Sequence, residues 1–188
     1  MRIVLCRHGK PDLAPWPAVA PKQMGEWIAH YDQADVMFEA VPADVNAIAN
    51  VCGAIMSSAL PRAAQSAAYL AANRTVIIDP LFQEAELPYL DWCLPRMPIA
   101  VWSVLFRCAW FAGLSRHAES YAAANERAMA AAKMLIAKAS ECGSVLLCGH
   151  GVMNALIGRH LLVLGWYGPK RPSGGYWKIA SYEKTGES

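Results

Sequence analysis

A continuous apolar run that stops at a histidine and a glycine occurs twice in this 188-residue chain. Near the start, Ile3, Val4 and Leu5 lead through Cys6 and Arg7 into His8 and Gly9. Later, Val145, Leu146, Leu147 and Cys148 lead through Gly149 into His150 and Gly151. Unbroken apolar runs of this length suit strands buried on both faces of a parallel sheet. In an open α/β sheet, ligands bind beyond the carboxyl ends of the strands. Two such strands side by side would therefore deliver both imidazoles to one site. Either short motif alone arises easily by chance, so the repetition carries the constraint.

A third segment fits the same site. Ile55 and Met56 end an apolar run, Ser57 and Ser58 follow, and Pro61 opens an Ala-rich stretch. Proline is favoured in a first helical turn, which places Arg62 where backbone amides and the helix dipole favour an anion. Arg7, beside His8, brings a second planar guanidinium suited to phosphate. Ser58 either caps a local turn or contacts the anion.

The remaining pattern predicts one domain over residues 1–188, built as layered α/β. Helices are expected over about 25–34, where Trp27, Ile28 and Tyr31 should cover the sheet, over 44–51, over the Ala-rich 62–72, over 118–141 and over 152–164. In the fourth of these, Glu119, Glu126, Arg127 and Lys133 are expected to face solvent, and Gly143 to end it. Short strands are expected at 53–57 and 75–78, with an edge strand at 175–182. Pro11 to Pro21 contains four prolines and reads as an irregular loop, either a wall of the pocket or a surface connection packed by Trp16. His30, His117 and His160 have no motif around them and are expected to be structural or exposed.

Arg7-His8-Gly9, Ser58-Ala59-Leu60-Pro61-Arg62-Ala63, Glu84 and His150-Gly151 stand in an order that resembles the histidine phosphatase superfamily, the phosphoglycerate mutase-like family. The resemblance implies a three-layer α/β/α fold with a mostly parallel central sheet. It implies His8 as nucleophile, Arg7, Arg62, Ser58 and Gly151 around the phosphate, and His150 as a further donor, imidazolium when the anion is bound. Glu84 is the implied acid/base, with Glu86 as the near alternative. Two departures stand out: Lys10-Pro11 follows the first motif, and Leu87-Pro88-Tyr89-Leu90 follows the glutamates without the family's glycines. The implied activity is a metal-independent phosphomonoesterase working through a phosphohistidine on a small phosphorylated metabolite or a phosphoprotein. A phosphoglycerate mutase-type phosphotransferase and a noncatalytic phosphate-binding protein are the alternatives.

Charge and composition exclude several other classes. A net charge of +2 gives no bulk electrostatic reason to bind nucleic acid. The six cysteines form no C-x-x-C pair, no metal motif is present, and no cofactor is expected. Reduced cysteines and the interruption of the first apolar run by Arg7 and His8 point to a cytoplasmic chain without a signal peptide. The hydrophobic fraction of 55% owes much to residues 94–114, where Arg107 argues against a transmembrane segment. This stretch is expected to be an inserted helical region, about 89–117, serving as a buried helix, a homodimer contact, a membrane-surface element or a lid. As a lid it would offer Trp102, Phe106 and Trp110 to an apolar part of the substrate and Arg96 or Arg107 to an anionic part.

Overall fold

The structure is a computed structural model that describes residues 1–37 and 40–184. Five strands, β1 (Arg2–Arg7), β2 (Ala54–Ser57), β3 (Val76–Ile78), β4 (Ser144–Gly149) and β5 (Ile179–Glu183), form one sheet in the order β3-β2-β4-β1-β5. All neighbours are parallel except β5, which runs antiparallel along β1. Six helices accompany them: α1 (Met24–Asp32), α2 (Ala43–Val51), α3 (Pro61–Ala71), α4 (Ile99–Phe111), α5 (Tyr121–Cys142) and α6 (Gly151–Val163).

The apolar runs are unbroken because both faces of the sheet are covered. Successive side chains of a strand point to opposite faces. Ile3 and Leu5 of β1 and Val145 and Leu147 of β4 enter a core shared with α5 and α6. Val4, Cys6, Leu146 and Cys148 enter a second core with α2 and α3. The result is the three-layer α/β/α arrangement with a mostly parallel sheet that the sequence implies. Cys6 and Cys148 are buried, free and directly paired across β1 and β4.

A satellite core lies outside these layers. Val19, Met24, Trp102 and Phe106 cluster there, with Trp16, Trp27 and Leu87 packed against them. The helix in the apolar region is shorter than its composition suggests, because Pro98 caps it and Leu94 to Met97 lack helical structure. Trp102, Phe106 and Trp110, one helical turn apart, are all buried on its inner face. They are therefore not the residues α4 offers to a ligand, as a lid would require. Among the described residues no helix is long and apolar enough to cross a membrane.

Candidate active site

The strand register builds the site. Arg7 pairs with Gly149 at the carboxyl end of β1 and β4, so His8 and His150 follow one residue beyond the last pair. Their ring centroids are 5.0 Å apart. Ser57, the last residue of β2, pairs with Cys148 and brings Ser58 alongside His150. Asn154 of α6 is buried and ties the two strand ends together, donating through Nδ2 to the Cys6 carbonyl at 3.1 Å. A Cβ at residue 149 would lie 2.5 Å from the Asn154 Oδ1, so any other residue there would displace the Asn154 side chain.

His8 is 1% exposed and its protonation is fixed by its surroundings. Nδ1 lies 2.6 Å from the carbonyl oxygen of Gly9, which can only accept, so Nδ1 carries the hydrogen and Nε2 keeps its lone pair. Burial, with the positive charges of Arg62 and Arg7 adding to it, lowers the His8 pKa to about 3 against the pull of that hydrogen bond. Gly9 is held in turn, its amide donating to Ser66 Oγ, which donates to the Arg62 carbonyl.

His150 is fully buried at the N-cap of α6. Its pKa falls well below the ordinary histidine value, through burial first and then the charges of His8, Arg62 and Arg7. The imidazolium implied for the anion-bound state is thus not the form of the ligand-free site. Ser58 Oγ accepts from the Leu60 amide and lies 2.8 Å from His150 Nε2. The neutral His150 tautomer in which Ser58 donates to Nε2 is the one that carries its proton on Nδ1. Ser58 consequently performs the turn role and also orients His150.

Arg62 is 1% exposed in the first turn of α3, as its place after Pro61 predicts. Its Nη1 donates to the Tyr31 carbonyl at 2.8 Å, Nη2 faces the Asp32 carboxylate at 3.3 Å, and its Cζ lies 4.3 Å from the Tyr31 ring centre. Arg7 donates to the Gly174 carbonyl and lies over Tyr176, whose ring is 5.7 Å from that of His8. Arg7 Nε, Arg62 Nε and His150 Nδ1 are buried and have no hydrogen-bond partner among the described residues. Two buried guanidinium N–H donors and a buried imidazole nitrogen, all unpaired beside one histidine, form a cluster that an anion would satisfy.

Both glutamates line the adjoining cavity. Glu84 reaches the first turn of α6, where Oε1 accepts from the Met153 amide at 2.9 Å and Oε2 from the Val152 amide at 3.2 Å. Glu86 instead accepts from the Glu119 amide, ahead of α5. The loop carrying them is pinned by two arginines. Arg127 donates to the carbonyls of Leu81 and Gln83 and pairs with Glu119, and Arg107 donates to those of Ala85 and Glu86. Arg127 and Glu119, expected in solvent, are half-buried because this loop packs across α5 and supplies carbonyls to the guanidinium.

The cavity encloses about 570 Å³. Arg7, Arg62 and Glu84 line it, and neither imidazole does. Trp27, Ile28, Tyr31 and Asp32 of α1 form part of its wall, so α1 faces the cavity rather than lying over the sheet as expected. None of residues 11–21 lines it: Pro11 and Val19 instead make isolated bridges to Val36 and Met97. From α4 come Ser103, Val104, Arg107 and Cys108. His117 is exposed, as expected, and also borders the cavity, stacked on Tyr89 and bonded to Asp91. Among the described residues no group of three or more His, Cys, Asp or Glu is arranged to hold a metal ion.

The parallel α/β sheet thus ends in a buried histidine pair flanked by two arginines with unpaired donors. The family model of the histidine phosphatase superfamily (branch 1) matches residues 39–181, and the chain belongs to that family. The match takes in Ser58, Arg62, Glu84 and His150, while Arg7 and His8 precede it and join them through the β1–β4 register.

No curated protein matches the sequence significantly. Solved structures match in fold. Mycobacterial glucosyl-3-phosphoglycerate phosphatase superposes with a TM-score of 0.62 at 23% identity, covering 96% of this chain and 88% of that one. A protein described as mycobacterial hydrolase 1 gives a TM-score of 0.62 at 22% identity, covering 96% and 87%. Phosphoserine phosphatase from Entamoeba histolytica, solved with 3-phosphoglyceric acid, gives 0.54 at 14% identity, covering 96% and 89%.

Proposed function

We propose that the chain is a metal-independent phosphomonoesterase that works through a phosphohistidine at His8. The observation that carries this reading is the cluster of unpaired buried nitrogens, Arg7 Nε, Arg62 Nε and His150 Nδ1, around an imidazole whose Nε2 lone pair is free. A phosphoryl group in transfer spreads negative charge over three equatorial oxygens, and preformed donors stabilise that charge most where water is excluded. In the first step the Nε2 lone pair of His8 forms the N–P bond as the P–O bond to the leaving group breaks. The departing oxygen takes a proton from Glu84. In the second step Glu84 takes a proton from water, the new P–O bond forms, and the N–P electron pair returns to Nε2.

Glu84 is favoured over Glu86 because its carboxyl group shares the α6 amino terminus with His150, while Glu86 is held at Glu119. Leu87 and, from the 89–117 region, Tyr89, Ser103, Val104, Arg107, Cys108 and His117 then form the wall beside the leaving group. The test is hydrolysis of p-nitrophenyl phosphate by wild type, His8→Ala, Glu84→Gln and Glu86→Gln, with EDTA present. Expected are activity that EDTA does not remove, an acid-labile adduct lost in His8→Ala, and a larger fall in kcat for Glu84→Gln than for Glu86→Gln. Metal-dependent turnover, or an adduct that survives His8→Ala, would overturn the reading.

A further inference from the structure

We infer that the cavity selects phosphomonoesters whose leaving group is uncharged and largely apolar, an aryl or alkyl alcohol, and discriminates against leaving groups that carry a carboxylate or a second phosphate. This rests on the phosphatase reading above, since it assigns the arginine end of the cavity to the phosphoryl group.

With Arg7 and Arg62 given to the phosphoryl group, Arg107 and His117 are the remaining basic side chains in the wall, and both are already engaged by the protein. Arg107 is the one further arginine in the wall, and both its Nη atoms donate to the carbonyls of Ala85 and Glu86 while its Cζ sits 4.8 Å from the Trp110 ring centre. His117 is bonded to Asp91. Against these stand three carboxylates in the same wall, Asp32, Glu84 and Glu86. A substrate carboxylate would thus meet three like charges against one arginine whose Nη atoms already serve backbone carbonyls, which disfavours it in a partly desolvated site.

The walls supply the opposite preference. Trp27 stacks on Tyr31 at 5.1 Å, and Tyr89 stacks on His117 at 4.4 Å. Leu60, Leu87 and Val104 add aliphatic surface. Flat and aliphatic surfaces of this kind bind apolar area and orient aryl groups through face and edge contacts. Val104 is 63% exposed and also lines the cavity, so its side chain forms the rim. On the outer face of the same helix Val101, Leu105 and Phe111 are exposed, which extends the apolar character of α4 beyond the cavity.

Binding separates this inference from the catalytic one, because it needs no turnover. Benzylphosphonate and 3-phosphonopropionate, which place an aryl group or a carboxylate near the phosphonate, are titrated calorimetrically into the full chain. Benzylphosphonate is expected to bind at least tenfold more tightly, and Val104→Arg, which puts a cation at the rim, is expected to narrow that ratio. Turnover should follow, with kcat/KM for 1-naphthyl phosphate at least tenfold above that for 3-phosphoglycerate. Equal or reversed binding of the two phosphonates would overturn the selectivity. Selective binding without hydrolysis of any phosphomonoester would overturn the phosphatase reading and leave the selectivity standing.

Discussion

Acid should destabilise this protein through its buried histidines before most carboxylates titrate. The His8 pKa is lowered to about 3 in the folded chain from the ordinary 6.5, chiefly by burial. Between those values the unfolded chain binds a proton that the folded chain refuses, so unfolding takes up protons and stability falls as pH falls. The contribution is complete above about 6.5 and is lost progressively toward 3. For a group with these two values, acidification from pH 7 to pH 5 removes about 2 kcal/mol. The result is insensitive to the folded value so long as that stays well under 5.

His150 is lowered in the same direction for the same first cause, so its protonation adds to the loss as pH falls. Asp32 works oppositely, since burial raises its carboxyl pKa and its protonation favours the folded state. The wild-type slope is therefore a net value, and the His8 share is isolated by difference. Urea unfolding at pH 7, 6 and 5 should show His8→Asn losing about 2 kcal/mol less than wild type across the range. An unchanged pH dependence in His8→Asn would refute the claim that this imidazole is held neutral by burial. Saturating inorganic phosphate should reduce the acid loss in wild type, because a bound anion favours the charged imidazoles.

Three further outcomes test the supports of the site. Arg127→Met removes a guanidinium shared between Glu119 and two loop carbonyls, and because that pair is half-buried the expected loss is about 2–4 kcal/mol by urea unfolding, with kcat reduced more than KM. A loss under about 0.5 kcal/mol, typical of a surface substitution, would show that water replaces the contacts. Gly9→Ala places a Cβ 2.5 Å from Val36 Cγ2 and 2.7 Å from the Trp177 ring, so a destabilisation of about 1–3 kcal/mol is expected, and a neutral change would mean the loop relaxes freely. Tyr176→Ala removes the ring beside His8 and should raise the His8 pKa from about 3 toward 6.5, read by imidazole NMR shifts; an unmoved titration would assign the desolvation to other neighbours.

The residues legible in the sequence are those whose position is set by a nearby strand end or helix start. His8 and His150 each stand one residue past a buried strand, and Arg62 follows a helix-opening proline. For these, chain neighbours determine placement and the sheet register does the rest. Arg127, Asn154 and Tyr176 were not legible, because each acts on residues far away in sequence. Arg127 reaches carbonyls more than forty residues earlier, and Asn154 reaches Cys6 across the whole chain. A polar residue on an Ala-rich helix reads as solvent-facing unless the segment packed over it is known. One signal was available for Asn154: a single Asn in the otherwise apolar run from Gly151 to Gly158.

The apolar segment shows why hydrophobic content alone misassigns a face. Trp102, Phe106 and Trp110 are the bulkiest residues of α4, and a ligand-facing role for them would match their chemistry. They follow a spacing of four, however, which places them on one stripe of a helix, and the largest apolar stripe is the one that packing removes from water. Trp102 confirms the burial with an indole N–H that donates to the Val19 carbonyl at 2.8 Å. What remains for the cavity is the neighbouring stripe of Ser103, Val104, Arg107 and Cys108, smaller and more mixed. This helix, which both closes a core and borders a site, gives its two tryptophans and Phe106 to the core, while Phe111 at its end stays exposed. Specificity is then left to residues whose composition looks ordinary, so changes at Val104 and Cys108 should alter substrate preference with less loss of stability than changes at Trp102 or Phe106.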